Sequence, residues 1–260
     1  AVDVIITGFT SIGDNAFQSS NLSGSITIPA SLTSIGEGAF DACYSLTSVS
    51  FESGSQLTTI GTNAFYWSGL SGSITIPSSL TSIGYQAFYF CSSLPSVSFE
   101  PNSQLTSIEY QAFSYCSSLT SVNFNELNQL ETIGDNAFYQ AGLSGSITLP
   151  ASLTSIGSSA FLGLSLTSVN FNELNQLETI GDYAFYKSVL SGSITLPASL
   201  TSIGEKAFYQ CSNLTTVSFE LNSQLETIGD NIFQNSGLST FNAPQSVLTL
   251  FGVTVGEGRT

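Results

Sequence analysis

Histidine and methionine are absent from this chain of 260 residues, and only three residues carry a positive charge. The lack of histidine excludes histidine-based catalytic triads, histidine general bases and the commonest zinc ligand sets. Lys187, Lys206 and Arg259 stand against 18 acidic residues, which gives a formal net charge of −15. So few cations cannot neutralise phosphates, and we therefore expect neither nucleic acid nor anionic membrane surfaces as partners.

Long apolar runs are also absent. The longest, at residues 247–255, is interrupted by polar residues, whereas a membrane-spanning helix needs about 20 apolar residues. We expect no membrane insertion. Charged residues make up only 8% of the chain, yet 42% are hydrophobic and 12% aromatic. This composition predicts a folded core rather than a disordered acidic tail, because there is enough apolar surface to offset the entropy of ordering.

A repeat of 23 to 25 residues runs through the chain. An isoleucine stands five residues before a phenylalanine ten times, and alanine precedes that phenylalanine in nine copies. The pairs are Ile12/Phe17, Ile35/Phe40, Ile60/Phe65, Ile83/Phe88, Ile108/Phe113, Ile133/Phe138, Ile156/Phe161, Ile180/Phe185, Ile203/Phe208 and Ile228/Phe233. Such a period with fixed apolar positions is typical of a solenoid, in which each repeat forms one coil and buries its apolar side against its neighbours.

Two segments of each repeat alternate β-branched and polar residues, which predicts two short strands per coil. The first is Leu-Thr-Ser-Ile before a glycine. The second is either Ser-Gly-Ser-Ile-Thr-Ile-Pro, as at residues 71–77, or Thr-Ser-Val-Ser-Phe, as at residues 47–51. The Gly-x-x-Ala-Phe segment between strands is too short for a regular helix and predicts a turn or a single 3₁₀ turn. The predicted fold is a repeat solenoid of about ten coils, mostly β, with little helix.

We predict one elongated domain over residues 1–260. It divides into an N-terminal partial coil at residues 1–8, ten repeats at 9–241, and a degenerate C-terminal coil and tail at 242–260. Stacking of coils places equivalent residues above one another, so the repeat phenylalanines should form an interior ladder. The predicted structural ladder comprises Phe40, Phe65, Phe88, Phe113, Phe138, Cys91 and Cys116.

The four cysteines stand three residues after the repeat phenylalanine, where most other coils have serine or alanine. A position filled by cysteine, serine or alanine is a small inward slot, so we expect Cys43, Cys91, Cys116 and Cys211 to be buried free thiols. Cys91 and Cys116 belong to adjacent coils, whose spacing of about 4.8 Å also permits one disulfide. The cysteines are too dispersed for a metal cluster, and we expect neither a metal nor a cofactor.

Residues 80–97, Leu-Thr-Ser-Ile-Gly-Tyr-Gln-Ala-Phe-Tyr-Phe-Cys-Ser-Ser-Leu-Pro-Ser-Val, resemble the unit of BspA-like leucine-rich repeats, also called the Treponema pallidum type. That unit runs Leu-x-x-Ile-Gly-x-x-Ala-Phe-x-x-Cys-x-x-Leu, and the likeness recurs in all ten copies. Glu109 replaces the glycine once. The resemblance implies a curved, right-handed leucine-rich-repeat solenoid without catalysis. It also implies a secreted or cell-surface protein of bacteria or protists, often acting in adhesion to host matrix proteins or other cells.

An aromatic row follows the repeat phenylalanine directly. If that phenylalanine points inward, at least one of the next two residues must face outward or lie along the edge. The candidate binding residues are Tyr66, Trp67, Tyr89, Phe90, Tyr115 and Tyr139, and the row continues at Tyr186 and Tyr209. Such rings can anchor a protein partner or stack on sugars. Edge packing between coils is the alternative.

Acidic and hydroxyl side chains also recur in register. The acids are Glu52, Glu100, Glu126, Glu173 and Glu220 after one strand, and Asp14, Asp135, Asp182 and Asp230 after the repeat glycine. They lie mostly in alternate coils, too far apart to share one Ca²⁺, and are expected to be solvated turn residues. Outward hydroxyl pairs are expected at Thr33/Ser34, Thr58/Thr59, Thr81/Ser82, Thr106/Ser107, Thr154/Ser155 and Thr201/Ser202. Asn21 and Asn213 begin glycosylation sequons.

Neither end of the repeat array has the polar cap that solenoids use for solubility. The candidate assembly ends are Val2, Val4, Ile6, Leu248, Phe251 and Val253. Three explanations stay open: a tail that folds back as an apolar plug, a fragment of a longer protein, or head-to-tail stacking.

The function favoured by these observations is an extracellular or cell-surface recognition or adhesion module, its signal peptide removed, that binds a protein or glycan through exposed solenoid faces. A structural protein that self-assembles head-to-tail into a filament or surface layer is the alternative. Ice binding through the Ser/Thr ladders is a minor alternative. No nucleophile and base pair, metal cluster or phosphate loop is visible, so we do not expect an enzyme.

Overall fold

A computed structural model describes residues 4–6, 8–171 and 174–252, with Val4 and Ile5 in backbone only. The predicted fold is confirmed: the chain is a solenoid of ten coils with two strand-bearing faces and very little helix. Coils are numbered here by their repeat phenylalanines, from Phe17 in coil one to Phe233 in coil ten.

The back sheet is formed by the two-residue strands of the Leu-x-x-Ile segments. All ten pair in parallel and in order, with serine or threonine opposite its counterpart and isoleucine opposite isoleucine. These strands are β2 (Ser11–Ile12), β4 (Ser34–Ile35), β6 (Thr59–Ile60), β8 (Ser82–Ile83), β10 (Ser107–Ile108), β12 (Thr132–Ile133), β14 (Ser155–Ile156), β16 (Thr179–Ile180), β18 (Ser202–Ile203) and β20 (Thr227–Ile228).

The front face is built from longer parallel strands, but it is interrupted. Its strands are β1 (Val4–Ile5), β3 (Gly24–Ile28), β5 (Leu46–Phe51), β7 (Ile74–Ile76), β9 (Ser96–Phe99), β11 (Ser121–Val122), β13 (Ser144–Ile147), β15 (Ser165–Val169), β17 (Gly192–Leu196), β19 (Leu214–Phe219) and β21 (Thr240–Asn242). They form four separate sheets, β1-β3-β5, β7-β9-β11, β13-β15 and β17-β19-β21. Each break lies between a coil whose front segment has a sequence of the Thr-Ser-Val-Ser-Phe type and a following coil whose front segment contains Ser-Gly-Ser-Ile. The coil length changes at these points.

Alternation along the front strands fixes which side chains are inside. In β7, Ile74 and Ile76 are buried and Thr75 between them is exposed. The same pattern in the other front strands supplies one wall of the core, and the back-sheet isoleucines supply the other. Burying each such side chain contributes about 1.5–3 kcal/mol, so the stability of the rod comes from this two-walled core rather than from any single coil.

The repeat phenylalanines stack in a single interior column between the two faces. Neighbouring ring centroids are 5.1–5.5 Å apart and the ring planes are within 2–15° of parallel. All the predicted ladder residues, phenylalanines and cysteines alike, are at most 1% exposed. Only the terminal members, Phe17 and Phe233, are half-buried. The column is therefore the continuous apolar spine of the molecule.

A turn segment, defined here as the residues from the repeat glycine to the third residue after the repeat phenylalanine, joins the back to the front of each coil. It consists of successive tight turns, as in the bonds from Asp41 N–H to the Gly38 carbonyl and from Cys43 N–H to the Phe40 carbonyl. The repeat glycine is required for close stacking: a Cβ at Gly61 would lie 2.8 Å from the carbonyl carbon of Gly36. The turn segments therefore stack with their backbones in contact.

A short helix closes the C-terminal end. Helix α1 (Gln245–Leu250) follows Pro244, and its Val247 is fully buried against the last coil. The residue after the helix, Phe251, contacts the rings of Phe219, Phe233 and Phe241 at 5.1–6.2 Å. In the part of the chain that the structure describes, no helix is long and apolar enough to cross a membrane.

Candidate functional site

Two positions follow each repeat phenylalanine directly; the first is at least partly exposed in every coil except at the buried Ser114, and the second has an unusual backbone. Its φ is positive in every coil, for example 51° at Trp67, 59° at Phe90 and 58° at Tyr115. Hydrogen bonds between coils impose this conformation: Trp67 N–H donates to the Tyr89 carbonyl at 2.8 Å, and Phe90 N–H donates to the Ser114 carbonyl at 2.9 Å. The turn therefore fixes where these side chains project.

The structure brings all six candidate binding residues together. We call Tyr66, Trp67, Tyr89, Phe90, Tyr115 and Tyr139 the aromatic cluster. Along the first position, Tyr66 and Tyr89 stack at 4.9 Å and 5°. Along the second, Trp67 and Phe90 are 5.1 Å apart, tilted by 42°, and Phe90 and Tyr115 are 5.6 Å apart. Tyr115 then meets Tyr139 edge-on at 5.4 Å. Ring contacts thus run without interruption from coil three to coil six.

The members of the aromatic cluster differ in exposure. Trp67 is 42% exposed and Phe90 is 40% exposed, whereas the four tyrosines are half-buried. Burial raises the pKa of Tyr89 and of Tyr139 above its ordinary value, and neighbouring tyrosines add to both shifts. The hydroxyls of Tyr89 and Tyr139 are consequently neutral donors at physiological pH. Two exposed apolar rings on a base of packed tyrosines form a pre-organised contact surface.

Two further tyrosines lie on the same turn side and were not among the candidates. Tyr85 and Tyr110 follow the repeat glycine position in coils four and five and stack at 4.7 Å, with Tyr85 45% exposed. The sequence does indicate them: both residues occupy the second position after the repeat isoleucine, where most other coils have Asp or Glu. Farther along, Tyr186 and Tyr209 stack at 5.2 Å, apart from the aromatic cluster.

Acidic residues surround the aromatic cluster, and the cations that the structure describes are remote from it. Asp41 occupies the position of Tyr66 in the preceding coil, and Glu37 lies in the same turn segment. Glu109 precedes Tyr110, and the backbone of Asp135 accepts a hydrogen bond from Gln111 at 3.0 Å. Lys187 and Lys206 lie in coils eight and nine. The surface is therefore apolar at its centre and negative at its edge.

Most of the acids predicted to be solvated turn residues also tie neighbouring coils together, and Asp14, Glu52, Asp135 and Asp182 are exposed as they do so. Asp14, Asp135 and Asp182 accept the N–H of a residue in the following coil at 2.6–2.9 Å. Glu52, Glu100 and Glu220 accept an N–H of the preceding coil at 2.9–3.0 Å. Glu173 lies outside the described residues. Within the described ranges, no group of three or more His, Cys, Asp or Glu side chains is placed to hold a metal ion.

The predicted hydroxyl pairs lie on the back sheet. The threonine hydroxyls of five pairs, and that of Thr58, donate to a carbonyl of the preceding coil at 2.9–3.2 Å. Their donors are thus used within the protein. A second set, not expected from the sequence, lies on the front face, where outward serines and threonines form hydrogen bonds with one another between coils, as Ser25 with Ser48 at 2.7 Å and Thr75 with Ser98 at 2.9 Å.

All four cysteines are free and buried, so the disulfide left open for Cys91 and Cys116 is not formed. Each thiol donates to the carbonyl of a repeat phenylalanine, for instance Cys91 Sγ to Phe65 at 3.1 Å. Burial raises the pKa of the Cys91 and Cys211 thiols to about 12 and also raises those of Cys43 and Cys116. These thiols are therefore unreactive packing groups. The sequon asparagines Asn21 and Asn213 are exposed.

The candidate assembly ends differ from each other. At the N-terminal end, Ile6 is buried and lines an apolar pocket of about 260 Å³ with Phe9, Ile12 and Phe17. Val4 lies in β1, which pairs with β3. At the other end, Leu248 and Phe251 are half-buried in or beside α1, as expected of a tail that folds back. Val2 and Val253 lie outside the described residues.

Comparison with known proteins agrees with this geometry. The family model of the BspA type leucine rich repeat region matches residues 10–144 and 131–252, in six copies. The structure of the pneumococcal vaccine antigen PcpA is 21% identical, covers 92% of this chain and 68% of its own, and has a TM-score of 0.52. The T. pallidum leucine rich repeat protein TpLRR is also 21% identical, with 87% and 82% covered and a TM-score of 0.45. Among curated proteins, none matches.

Proposed function

Because this chain belongs to the BspA-type leucine-rich repeat family, we propose that it is a recognition module, secreted or displayed on a cell surface, that binds a protein or glycan through the aromatic cluster. Leucine-rich repeat proteins commonly bind proteins. The pneumococcal protein of similar fold is a vaccine antigen, which supports an exposed location. The proposal involves no catalysis and no cofactor.

The observation that carries the proposal is the exposure of Trp67 and Phe90 at positions of positive φ. A left-handed conformation costs an L-residue about 1–2 kcal/mol, and glycine avoids this cost. Coil seven does have a glycine at this position, Gly163 with φ 75°. Trp67 and Phe90 are still about 40% exposed, so a large part of each apolar ring is not buried by the fold itself. A glycine would satisfy the backbone at lower cost, and the exposed ring area therefore favours a role in binding.

The packing of the aromatic cluster also favours binding. Binding surfaces concentrate their energy in a few aromatic anchors, and rings have few rotatable bonds to immobilise. Here Trp67 already contacts Tyr66 and Phe90, and Phe90 already contacts Tyr89 and Tyr115. The two anchors are held in place before a partner arrives, so little conformational entropy is lost on association.

The test replaces both anchors with the residue that suits their backbone. We expect Trp67→Gly/Phe90→Gly to fold like the wild type, because glycine fills this position in coil seven. A matched control is Gln210→Gly, at the same position of coil nine with φ 58°. Each protein is screened against arrayed matrix proteins and glycans. Loss of at least tenfold in affinity for a captured ligand in the double variant, with the control unchanged, supports the proposal. Equal binding by all three proteins contradicts it.

End-to-end self-assembly is a second candidate, favoured by the apolar pocket at the N-terminal end. Phe9 in the wall of this pocket is 63% exposed, while the last coil is covered by α1. A contact between copies would therefore use the N-terminal end. Sedimentation velocity from 1 to about 100 µM should show dimers that Phe9→Ser abolishes. A monomer throughout this range argues against assembly.

A further inference from the structure

We infer that the partner is a protein that places an arginine or lysine at the N-terminal edge of the aromatic cluster, where Asp41 of coil two is in register with Tyr66. This inference rests on the proposed function and narrows it to one chemical class of ligand. Three observations carry it: how the rings pack, which groups adjoin Trp67 on the side of coil two, and how the chain pairs its own cations.

The ring packing disfavours a sugar. A pyranose ring binds an aromatic side chain by lying flat on an open ring face. The faces of Tyr66 and Tyr89 cover each other at 4.9 Å and 5°, and Tyr115 and Tyr139 meet edge to face at 71°. At these four tyrosines a ligand that approaches from outside therefore meets mainly ring edges and hydroxyls. Such a surface suits protein side chains better than a stacked glycan.

The side of Trp67 that faces coil two is different. The equivalent residue in coil two is Ala42, whose N–H donates to the Tyr66 carbonyl at 2.8 Å. On this side the indole is therefore adjoined by a methyl group rather than by a ring. The neighbouring side chain of coil two is Asp41, which is half-buried and accepts a hydrogen bond from Gln18 Nε2 at 2.8 Å. At this edge coil two thus places a methyl group in register with the indole and a positioned carboxylate in register with Tyr66.

Elsewhere in the same chain, a tyrosine ring and a carboxylate together bind a lysine. In coils eight and nine, Lys206 Nζ lies 2.6 Å from a carboxylate oxygen of Glu205, 3.1 Å from the Tyr183 hydroxyl and 5.2 Å from the centre of the Tyr183 ring. Lys187 Nζ lies 5.2 Å from the Tyr186 ring centre. An aromatic ring beside a carboxylate therefore holds an ammonium group on this turn side.

At the edge of the aromatic cluster the rings and the carboxylate are present, but the lysines in the part of the chain that the structure describes belong to coils eight and nine. Residues 1–186 contain no lysine or arginine, and the net charge is −15. Glu37, Glu109 and Asp135 add negative charge around the cluster. A partner with basic residues is attracted by this field, and its cation can occupy the edge formed by Asp41, Tyr66 and Trp67. Charge complementarity selects the partner class.

Isothermal titration calorimetry of the whole protein tests this inference with a tetra-arginine amide, its neutral isostere tetra-citrulline amide, and cellohexaose. We expect the arginine peptide to bind and the citrulline peptide not to bind. Asp41→Asn keeps the shape of the side chain and should weaken binding about two- to fivefold, the worth of one exposed charge interaction. Glu226→Gln is the matched control, because it makes the same change in net charge in coil ten and should leave the affinity unchanged.

Equal losses in Asp41→Asn and Glu226→Gln would show that the peptide senses only net charge and would overturn the inference, as would equal binding of the two peptides. Binding of cellohexaose alone, lost in Trp67→Gly/Phe90→Gly, would also overturn it while leaving the recognition function in place. The recognition proposal fails separately, if the double glycine variant keeps every ligand of the arrayed screen.

Discussion

Truncation of one phenylalanine in the middle of the interior column should destabilise the protein more than almost any other single change. Phe113 is fully buried, and its ring stacks on Phe88 at 5.2 Å and on Phe138 at 5.4 Å, both within 4° of parallel. Phenylalanine to alanine in a core costs about 3–5 kcal/mol. Because the strands hold the coils at a fixed spacing, neighbouring rings cannot move in to fill the gap, and we expect Phe113→Ala to cost about 4 kcal/mol.

Urea unfolding, followed by far-ultraviolet circular dichroism and by the fluorescence of the single tryptophan, measures this loss. Phe90→Ala is the control: its ring is 40% exposed, so less buried area is lost and its removal should cost about 2 kcal/mol, roughly half as much. Phe113→Leu keeps much of the volume and should fall between the two. A loss below about 1 kcal/mol for Phe113→Ala would refute the interior column.

Three further changes probe other contacts. Ser188 Oγ is buried and has no hydrogen-bond partner among the described residues, so Ser188→Ala should raise the free energy of unfolding by about 1 kcal/mol. Ser68→Ala removes a hydrogen bond with Cys91 Sγ at 3.3 Å and should not raise it. Urea unfolding measures both variants, and equal effects would contradict the assignment of Ser188 Oγ as an unpaired buried hydroxyl. A Cβ at Gly69 would lie 2.0 Å from the Tyr44 carbonyl oxygen; Gly69→Ala should therefore lower the melting temperature, and an unchanged value would show that the backbone yields freely. Burial raises the pKa of Cys91 to about 12 from the ordinary 9.0. As the pH rises, the thiol loses its proton in the unfolded state before it does so in the folded state, so its contribution to stability should be full below pH 9 and fall towards pH 12. Thermal melts over this pH range should show a smaller loss of stability in Cys91→Ala than in the wild type. An equal loss in the two proteins would exclude the Cys91 thiol as a source of the alkaline destabilisation.

Much of the fold could be predicted because one pattern is repeated ten times. The Ile and Phe positions recur at a period that only stacked coils satisfy, and stacking by itself brings equivalent residues into columns. The same logic predicted the aromatic cluster: residues such as Trp67 and Phe90 fill equivalent positions of consecutive coils, so they must meet. The positive φ that projects them outward was not predictable, because it results from hydrogen bonds between coils.

Other features depend on contacts that no local pattern reveals. The breaks between front sheets occur where coils of different length meet. Helix α1 forms because Val247 and Phe251 pack on the last coil, which no further repeat covers. Asp14 and Glu52 resemble ordinary solvated turn acids in sequence, yet they accept backbone N–H groups of neighbouring coils. The carboxylate of Asp41 at the edge of the aromatic cluster was missed for the same reason, since Asp41 and Tyr66 are 25 positions apart.

Acrylamide quenching of Trp67, with and without a ligand captured in the arrayed screen, tests the recognition surface most directly, because this is the only tryptophan of the chain. We predict efficient quenching in the free protein and clear protection once the ligand is bound. A tryptophan that is already shielded in the free protein, or one whose quenching a saturating ligand leaves unchanged, would contradict the assignment of the aromatic cluster as the binding site.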